Sequence, residues 1–152
     1  MTNFPEIPED KHSSKLSFTD NGNTQIPVSK PRFKTIINLV EKSENVGFSY
    51  VELVYVDENE IVEINKKYLE RDYVTDIISF RYDEDNSNQF IEGTLYCCSS
   101  RISEQSQEFK TPVKKEFERV FIHGLLHLIG YNDQTEPDKK KMTKLEDFYL
   151  KA

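Results

Sequence analysis

The sequence predicts an α/β fold of the α+β kind, in which a mixed β-sheet of about four to five strands is covered by helices. Three observations predict it. Segments with helical spacing alternate with segments rich in β-branched and aromatic residues in the first half of the chain. Two strand-like segments then follow each other across a run of turn residues, and the end of the chain carries helical patterns only. The length of 152 residues suits one domain with a single core.

The first half of the chain contains two strand patterns, each followed by a helix pattern. KLSFTD at residues 15–20 alternates between polar and apolar side chains and predicts a first strand. Apolar side chains at helical spacing predict a helix over residues 31–43, with Pro31 at its start. FSYVELVYVD at residues 48–57 predicts a second strand, and ENEIVEINKKYLER at residues 58–71 a second helix.

A hairpin and a short helix are expected next. TDIISFRY at residues 75–82 and FIEGTLYCCS at residues 90–99 predict strands, and DEDNSN between them predicts the turn that joins them. Thr75 and Asp76 are interpreted as a side-chain turn that starts the first of these strands, in preference to a direct substrate contact. Residues 100–109 predict a short helix.

Two long helices complete the chain. The first is predicted over residues 111–130, with Thr111 as its cap, Pro112 as its first residue and Gly130 at the left-handed turn that ends it. The second is predicted over residues 135–150 with Thr135 as its cap. Its inner face is expected to consist of four apolar or aromatic side chains: Met142, Leu145, Phe148 and Tyr149.

Composition narrows the class of protein. The net charge of −7 argues against indiscriminate binding to nucleic acid, which needs a broad basic surface. No apolar run approaches the ~20 residues of a membrane helix. Residues 1–15 are expected to be flexible and lack the pattern of a secretory signal, so we expect a cytoplasmic protein without a membrane partner. The adjacent Cys97 and Cys98 fit buried strand residues in a reducing compartment.

The stretch HGLLHLIGYND at residues 123–133 has the spacing of a metal site. His123 and His127 lie four residues apart, which places them on one helical face with a rise of about 6 Å between them. A turn at Gly130 would bring Asp133 back across the last helical turn. Two imidazoles, one carboxylate and an open position are the pattern of a catalytic zinc site, in which a metal-bound water is the one catalytic group indicated. The alternatives are two core histidines with separate partners, and Asn132 as a weaker ligand.

Gly124 bears on the mechanism. In HExxH peptidases a glutamate follows the first histidine and acts as general base, and this chain has Gly124 there. A glycine in mid-helix costs about 1 kcal/mol relative to alanine. We therefore expect another backbone or a substrate to approach the helix closely at this residue.

The same stretch resembles the signature of the YbeY family, bacterial endoribonucleases of ribosomal RNA maturation. A second block, INKKYLERDYVTDIISF, resembles another family motif, and the resemblance covers roughly residues 45–150. It implies a single zinc ion, a mixed α/β fold, and an RNA substrate, with the ribosomal subunit or its assembly factors as partners. The matching residues are His123, Gly124, Leu126, His127, Leu128, Gly130, Tyr131, Asn65, Tyr68, Asp72, Thr75, Asp76, Ser79, Phe80 and Gly93.

Three departures from the family pattern concern the site. Asp133 replaces the third metal histidine, which is chemically permitted and lowers the charge of the site by one unit. Leu69 replaces an arginine that the family associates with substrate handling or catalysis, and Thr94 replaces an aspartate. Arg71 and Arg81 are the nearest candidates to bind a substrate phosphate in place of the missing arginine, because a guanidinium offers a fork of N–H donors.

The resemblance thus implies a metal-dependent endoribonuclease that cleaves single-stranded RNA, and the spacing predicts His123, His127 and Asp133 as ligands of one zinc. Nickel or iron could occupy the same donors. Attack by water and attack by the ribose 2′-hydroxyl both stay open. Two other hypotheses remain: a non-haem iron enzyme, which uses the same donor set, and a non-enzymatic ribosome-assembly factor with a structural metal.

Overall fold

The structure is a computed structural model that describes residues 15–152. Most of the segment predicted to be flexible, residues 1–14, lies outside the described residues. Residues 15–152 contain four strands and five helices, which confirms the predicted class. In chain order they are β1 (Leu16–Asp20), α1 (Lys30–Glu44), β2 (Phe48–Val56), α2 (Glu58–Leu69), β3 (Ile77–Arg81), β4 (Ile91–Cys98), α3 (Ser99–Glu108), α4 (Val113–Ile129) and α5 (Glu136–Leu150).

The sheet is mixed and has the strand order β1-β2-β4-β3. β1 and β2 are parallel, as are β2 and β4, whereas β3 runs antiparallel to β4. The predicted hairpin is therefore confirmed, with Ile77 opposite Cys97 and Arg81 opposite Gly93. The parallel pairs require crossovers, and the helices α1 and α2 occupy those connections.

The core lies mainly on one face of the sheet, where α1, α4 and α5 pack. Its centre is a group of aromatic rings in which Phe33 meets Phe121 at 4.7 Å between centroids and Tyr55 meets Phe117 at 5.9 Å. A smaller apolar cluster around Ile61 lies on the opposite face beneath α2. Cys97 and Cys98 are both buried, one in each cluster, as the sequence predicts.

The observed helix ends agree with the predicted ones at two positions and differ from the prediction at one. Thr135 caps α5 by accepting the backbone N–H of Asp138, and Gly130 ends α4 with a φ of +126°. The prediction that Thr111 caps α4 is wrong, because α4 begins at Val113 and the residue before it, Pro112, is the cap. The Thr111 hydroxyl is buried without a hydrogen-bond partner among the described residues.

The inner face of α5 differs from the prediction at one position. Met142 and Tyr149 are buried, whereas Phe148 is 57% exposed and does not belong to this face. The position four residues after Met142 is taken by the buried Glu146, which holds a charge inside an otherwise apolar face. Among the helices described from residue 15 onwards, none has the length and apolar character that crossing a membrane requires.

Candidate metal centre

Three predicted ligand atoms converge where α4 ends. His123 and His127 come from α4 with their Nε2 atoms 2.9 Å apart, and Asp133 returns from the turn with Oδ2 3.3 Å and 3.7 Å from those two nitrogens. Ligand atoms bound tetrahedrally at about 2.0–2.1 Å would lie roughly 3.3 Å from one another. The three separations scatter around that value, so the donors present fit one small divalent ion.

Each histidine is oriented by a partner on its other ring nitrogen. His123 Nδ1 lies 2.6 Å from Glu146 Oε2, and His127 Nδ1 lies 2.9 Å from the carbonyl oxygen of Tyr131. An Nδ1–H donated to each acceptor leaves Nε2 unprotonated, which is the form that binds metal. Core histidines would also have such partners. The shared direction of both Nε2 atoms toward the Asp133 carboxylate is what favours a ligand set.

Glu146 belongs to a charged chain that continues away from the site. Arg119 donates from one terminal nitrogen to Glu146 Oε1 at 2.9 Å and from the other to Asp147 Oδ1 at 2.7 Å. Glu146 is buried, so Arg119 compensates a carboxylate that would otherwise be costly to desolvate. The arrangement resembles the carboxylate–histidine pairs that orient ligands around catalytic metals.

The two imidazoles have opposite electrostatic environments. Burial by itself lowers the pKa of His123, but the hydrogen bond and charge of Glu146, with the charges of Asp133 and Asp76, outweigh it and raise the pKa. The pKa of His127 is lowered by burial and then by the neighbouring His123. His127 is therefore the more readily neutral of the two rings.

The turn that carries Asp133 is fastened to the first helix. Tyr131 follows Gly130 and donates its hydroxyl to Glu44 at 2.6 Å, which raises the pKa of Tyr131 to about 12. Tyr149 donates to the other oxygen of Glu44, also at 2.6 Å. One carboxylate at the end of α1 thus ties both the turn and α5 in place, and this fixes Asp133 relative to the histidines.

The ligand set opens to solvent on two sides. The side chains of His123, His127 and Asp133 are 24%, 28% and 40% exposed. A polar cleft of about 520 Å³ runs from His127 and Asp133 toward Thr75 and Arg71. A second cleft of about 340 Å³ runs from His123 toward α3 and α5. Asn132 also lines the polar cleft.

The two predicted substrate arginines have different surroundings. All five N–H groups of Arg81 are donated within the protein, to the Asp83 carboxylate, the Asn88 side chain and the carbonyl oxygens of Asp85 and Leu128. Arg81 therefore offers no free N–H to a phosphate in this arrangement, and its contacts hold the hairpin turn against the end of α4. Arg71 is exposed and lies on the wall of the polar cleft.

Sequence reasoning missed two residues of the site. Asp76, interpreted as part of a turn, accepts a hydrogen bond from Gln105 at 3.1 Å and lines both clefts beside His123. Its position in the motif that resembles the family was the available signal. Glu146 was not predicted at all. The one signal in the sequence was its position: Glu146 comes four residues after Met142, which places an acidic residue on the inner face of α5.

Gly124 has a packing explanation. A Cβ added there would lie 2.6 Å from Ile77 Cδ1 and 3.0 Å from Leu95 Cδ2. The expectation that a backbone or a substrate approaches Gly124 is therefore wrong, because side chains of β3 and β4 fill that space. The glycine lets α4 lie close on the sheet, which sets the height of both histidines above it.

The chain is similar to proteins of one known family. The family model described as Endoribonuclease YbeY matches residues 18–152. Endoribonuclease YbeY of Flavobacterium psychrophilum is 37% identical over 115 residues, covering 76% of this chain and 80% of that protein. Endoribonuclease YbeY of Chlorobium limicola is 39% identical over 117 residues, covering 77% and 78%. The solution structure of TM1509 from Thermotoga maritima superposes with a TM-score of 0.61 at 27% identity, covering 89% of this chain and 86% of that one.

Proposed function

The chain belongs to the endoribonuclease YbeY family, and from this membership and the ligand geometry we propose that it cleaves single-stranded RNA at a His2Asp metal site during ribosomal RNA maturation. Membership supports an enzyme that acts on RNA phosphodiester bonds. The observation that carries the site assignment is the convergence of His123 Nε2, His127 Nε2 and Asp133 Oδ2. We further propose that residues 1–152 form a single metal-dependent endoribonuclease domain.

We propose zinc as the resident ion, since two imidazoles, one carboxylate and an open side match its catalytic sites, with nickel or iron as ions that the same donors accept. When bound, such an ion supplies a Lewis acid for the phosphodiester. His123 and His127 would hold it through Nε2, and Asp133 would close the third position from the turn. The partial exposure of all three side chains favours a site open to substrate over a purely structural one.

We propose Arg71 as the residue that takes over phosphate binding from the arginine replaced by Leu69. It is exposed on the polar cleft, and its guanidinium makes no hydrogen bond to residues 15–152 that would compete with a phosphate. Arg81 would act indirectly, by fixing the hairpin turn against the carbonyl oxygen of Leu128 one turn before the Asp133 segment.

The substrate we propose is a ribosomal RNA precursor, met in the cytoplasm on a ribosomal subunit or with assembly factors. The net charge of −7 gives the chain little general attraction for RNA. A partner that brings the RNA to the site would offset that deficit.

Cleavage of a labelled single-stranded RNA tests this proposal. We expect cleavage by the zinc-loaded protein, loss of it on chelation, and recovery when zinc is restored. Asp133→Ala should lose cleavage, whereas Glu136→Ala, which removes an exposed acid three residues away, should keep it. A 5′-phosphate product would indicate attack by water and a 2′,3′-cyclic phosphate attack by the ribose hydroxyl. Cleavage that survives chelation or the Asp133 substitution would overturn the proposal.

A further inference from the structure

The cleft on the far side of His123 from Arg71 has a different character from the polar cleft. We name it the α3–α5 recess and define it by Gln105, Phe109, Glu116, Val120, Met142 and Thr143. Its volume of about 340 Å³ lies near the lower end of the ~300–1,000 Å³ typical of small-molecule sites. Asp76, His123 and Asp133 line both clefts, so the ligand set lies where the recess and the polar cleft meet.

An aromatic ring stands at the mouth of the recess. Phe109 follows the last residue of α3 and is 61% exposed, although its side chain is wholly apolar. Val120 and Met142 behind it are buried and give the recess an apolar inner wall. A flat exposed ring beside an apolar wall is the kind of surface on which a planar ligand stacks.

The part of the recess around Gln105 is polar and presents acceptors. Gln105 uses its amide nitrogen twice, toward Asp76 Oδ2 at 3.1 Å and toward Glu116 Oε2 at 3.3 Å. The atoms that these three residues leave for a ligand are the Gln105 carbonyl oxygen and carboxylate lone pairs. These acceptors suit a neutral ring with N–H groups on its edge. Arg119 also lines the recess, but it is paired with Glu146 and Asp147, so the carboxylates Asp76 and Glu116 disfavour a phosphate there.

We propose that the α3–α5 recess binds the nucleobase of the nucleotide adjacent to the scissile phosphodiester, with Phe109 stacking on the base. The inference rests on the proposed function, because it places the phosphodiester at the ligand set that the recess adjoins. The scissile phosphate then lies at the ligand set, and the phosphate on its other side lies in the polar cleft beside Arg71. Lys139 lines the recess and is 57% exposed, so it can meet the next phosphate of the chain.

A double-mutant cycle that combines a change in the protein with a change in the RNA tests whether the recess binds a base. One change is Phe109→Ala, and the other is a single abasic nucleotide placed in turn on either side of the cleavage point. Stacking of one base on an aromatic side chain is worth about 5- to 150-fold in affinity. On the zinc-loaded protein, Phe109→Ala should raise KM by a factor in that range. An abasic nucleotide at one flanking position should raise the KM of the unaltered protein similarly and should cost the Phe109→Ala variant little more.

Two variants and a second readout keep the outcome unambiguous. Phe109→Tyr should restore KM, because tyrosine also stacks. Phe148→Ala, which removes an equally exposed ring of α5 that does not line the recess, should leave KM unchanged. Fluorescence anisotropy of a short RNA on the chelated protein measures the same base dependence without cleavage.

The two proposals fail differently. Base-dependent binding that requires Phe109, without any RNA cleavage, would overturn the proposed nuclease function and keep the recess as a base site. RNA cleavage in which Phe109→Ala and Phe109→Tyr both behave like the unaltered protein would overturn the recess. The base site would also be overturned if an abasic nucleotide raised the KM of the Phe109→Ala variant as much as it raised that of the unaltered protein.

Discussion

Replacing Glu146 by glutamine isolates the charge that orients His123. The carboxylate is buried, lies 2.6 Å from His123 Nδ1 and is bound by Arg119 on its other oxygen. Glutamine has the same shape and keeps an oxygen that can accept the Nδ1–H, but it has no charge. Glu146→Gln therefore weakens the partner of His123 without creating a cavity.

The expected loss of metal affinity follows from the role of Glu146, which hydrogen-bonds the ring nitrogen of His123 that does not bind the metal. Losing such a partner typically costs about 10- to 100-fold in metal affinity, or about 1.4 to 2.7 kcal/mol. Arg119 already compensates part of the Glu146 charge, so the value should lie nearer 10-fold than 100-fold. The fold should persist, because the substitution leaves the packing of α5 against α4 unchanged in volume.

A competition titration of zinc against a chromophoric chelator at fixed pH measures this affinity. The matched control is Asp147→Asn, which removes the other carboxylate that binds Arg119 but has no contact with His123. We expect the control to stay within about threefold of the unaltered protein, as befits an exposed ion pair. Equal losses in both variants, or no loss in Glu146→Gln, would refute the role assigned to Glu146.

Three further predictions concern the supports of the site. Arg71→Ala should raise KM for RNA and leave the free energy of unfolding unchanged within about 0.5 kcal/mol, whereas Arg81→Ala should lower that free energy by about 2–3 kcal/mol. Urea unfolding measured beside steady-state kinetics separates the two effects, and the reverse pattern would contradict both assignments. The hydrogen bonds from Arg81 lower the pKa of Asp83 to about 2, below its unfolded value near ~3.9, so the stabilisation that Asp83 provides is present above about pH 4 and is lost as the pH falls toward 2. Asp83→Asn should thus destabilise the protein at pH 7, with a difference from the unaltered protein that narrows as the pH falls from about 4 to about 2; a gap independent of pH would exclude the ion pair as its cause. Gly93→Ala should lose about 1–3 kcal/mol in urea unfolding, because its Cβ would lie 2.7 Å from the carbonyl oxygen of Phe80, and unchanged stability would show that the hairpin yields there.

The ligand set could be predicted from the sequence because its geometry is local. His123, His127 and Asp133 lie within eleven residues, and a helical repeat followed by a glycine turn is enough to bring them together. The hairpin was predictable for the same reason, since its two strands are adjacent in sequence. The strand order was not, because parallel pairing of β2 with β4 depends on crossovers that a local pattern does not encode.

The supporting residues could not be predicted because they depend on packing between distant segments. Glu146 reaches His123 across 23 positions of the chain, and only the docking of α5 on α4 brings them together. For Arg81, the sequence showed a guanidinium near the site but not that the hairpin turn and Leu128 would take all its donors. Phe148 was misplaced because, six residues after Met142, it lies about 120° away from it around the helix. The other buried positions of α5 are those four, seven and eight residues after Met142.

The central claim is that His123, His127 and Asp133 bind one metal ion. The most direct test is elemental analysis of the purified, unchelated protein beside Asp133→Ala, with thermal unfolding of both. We predict close to one equivalent of zinc in the unaltered protein and loss of the metal from a folded Asp133→Ala. Less than about half an equivalent of any transition metal in the unaltered protein, or full occupancy in Asp133→Ala, would contradict the claim.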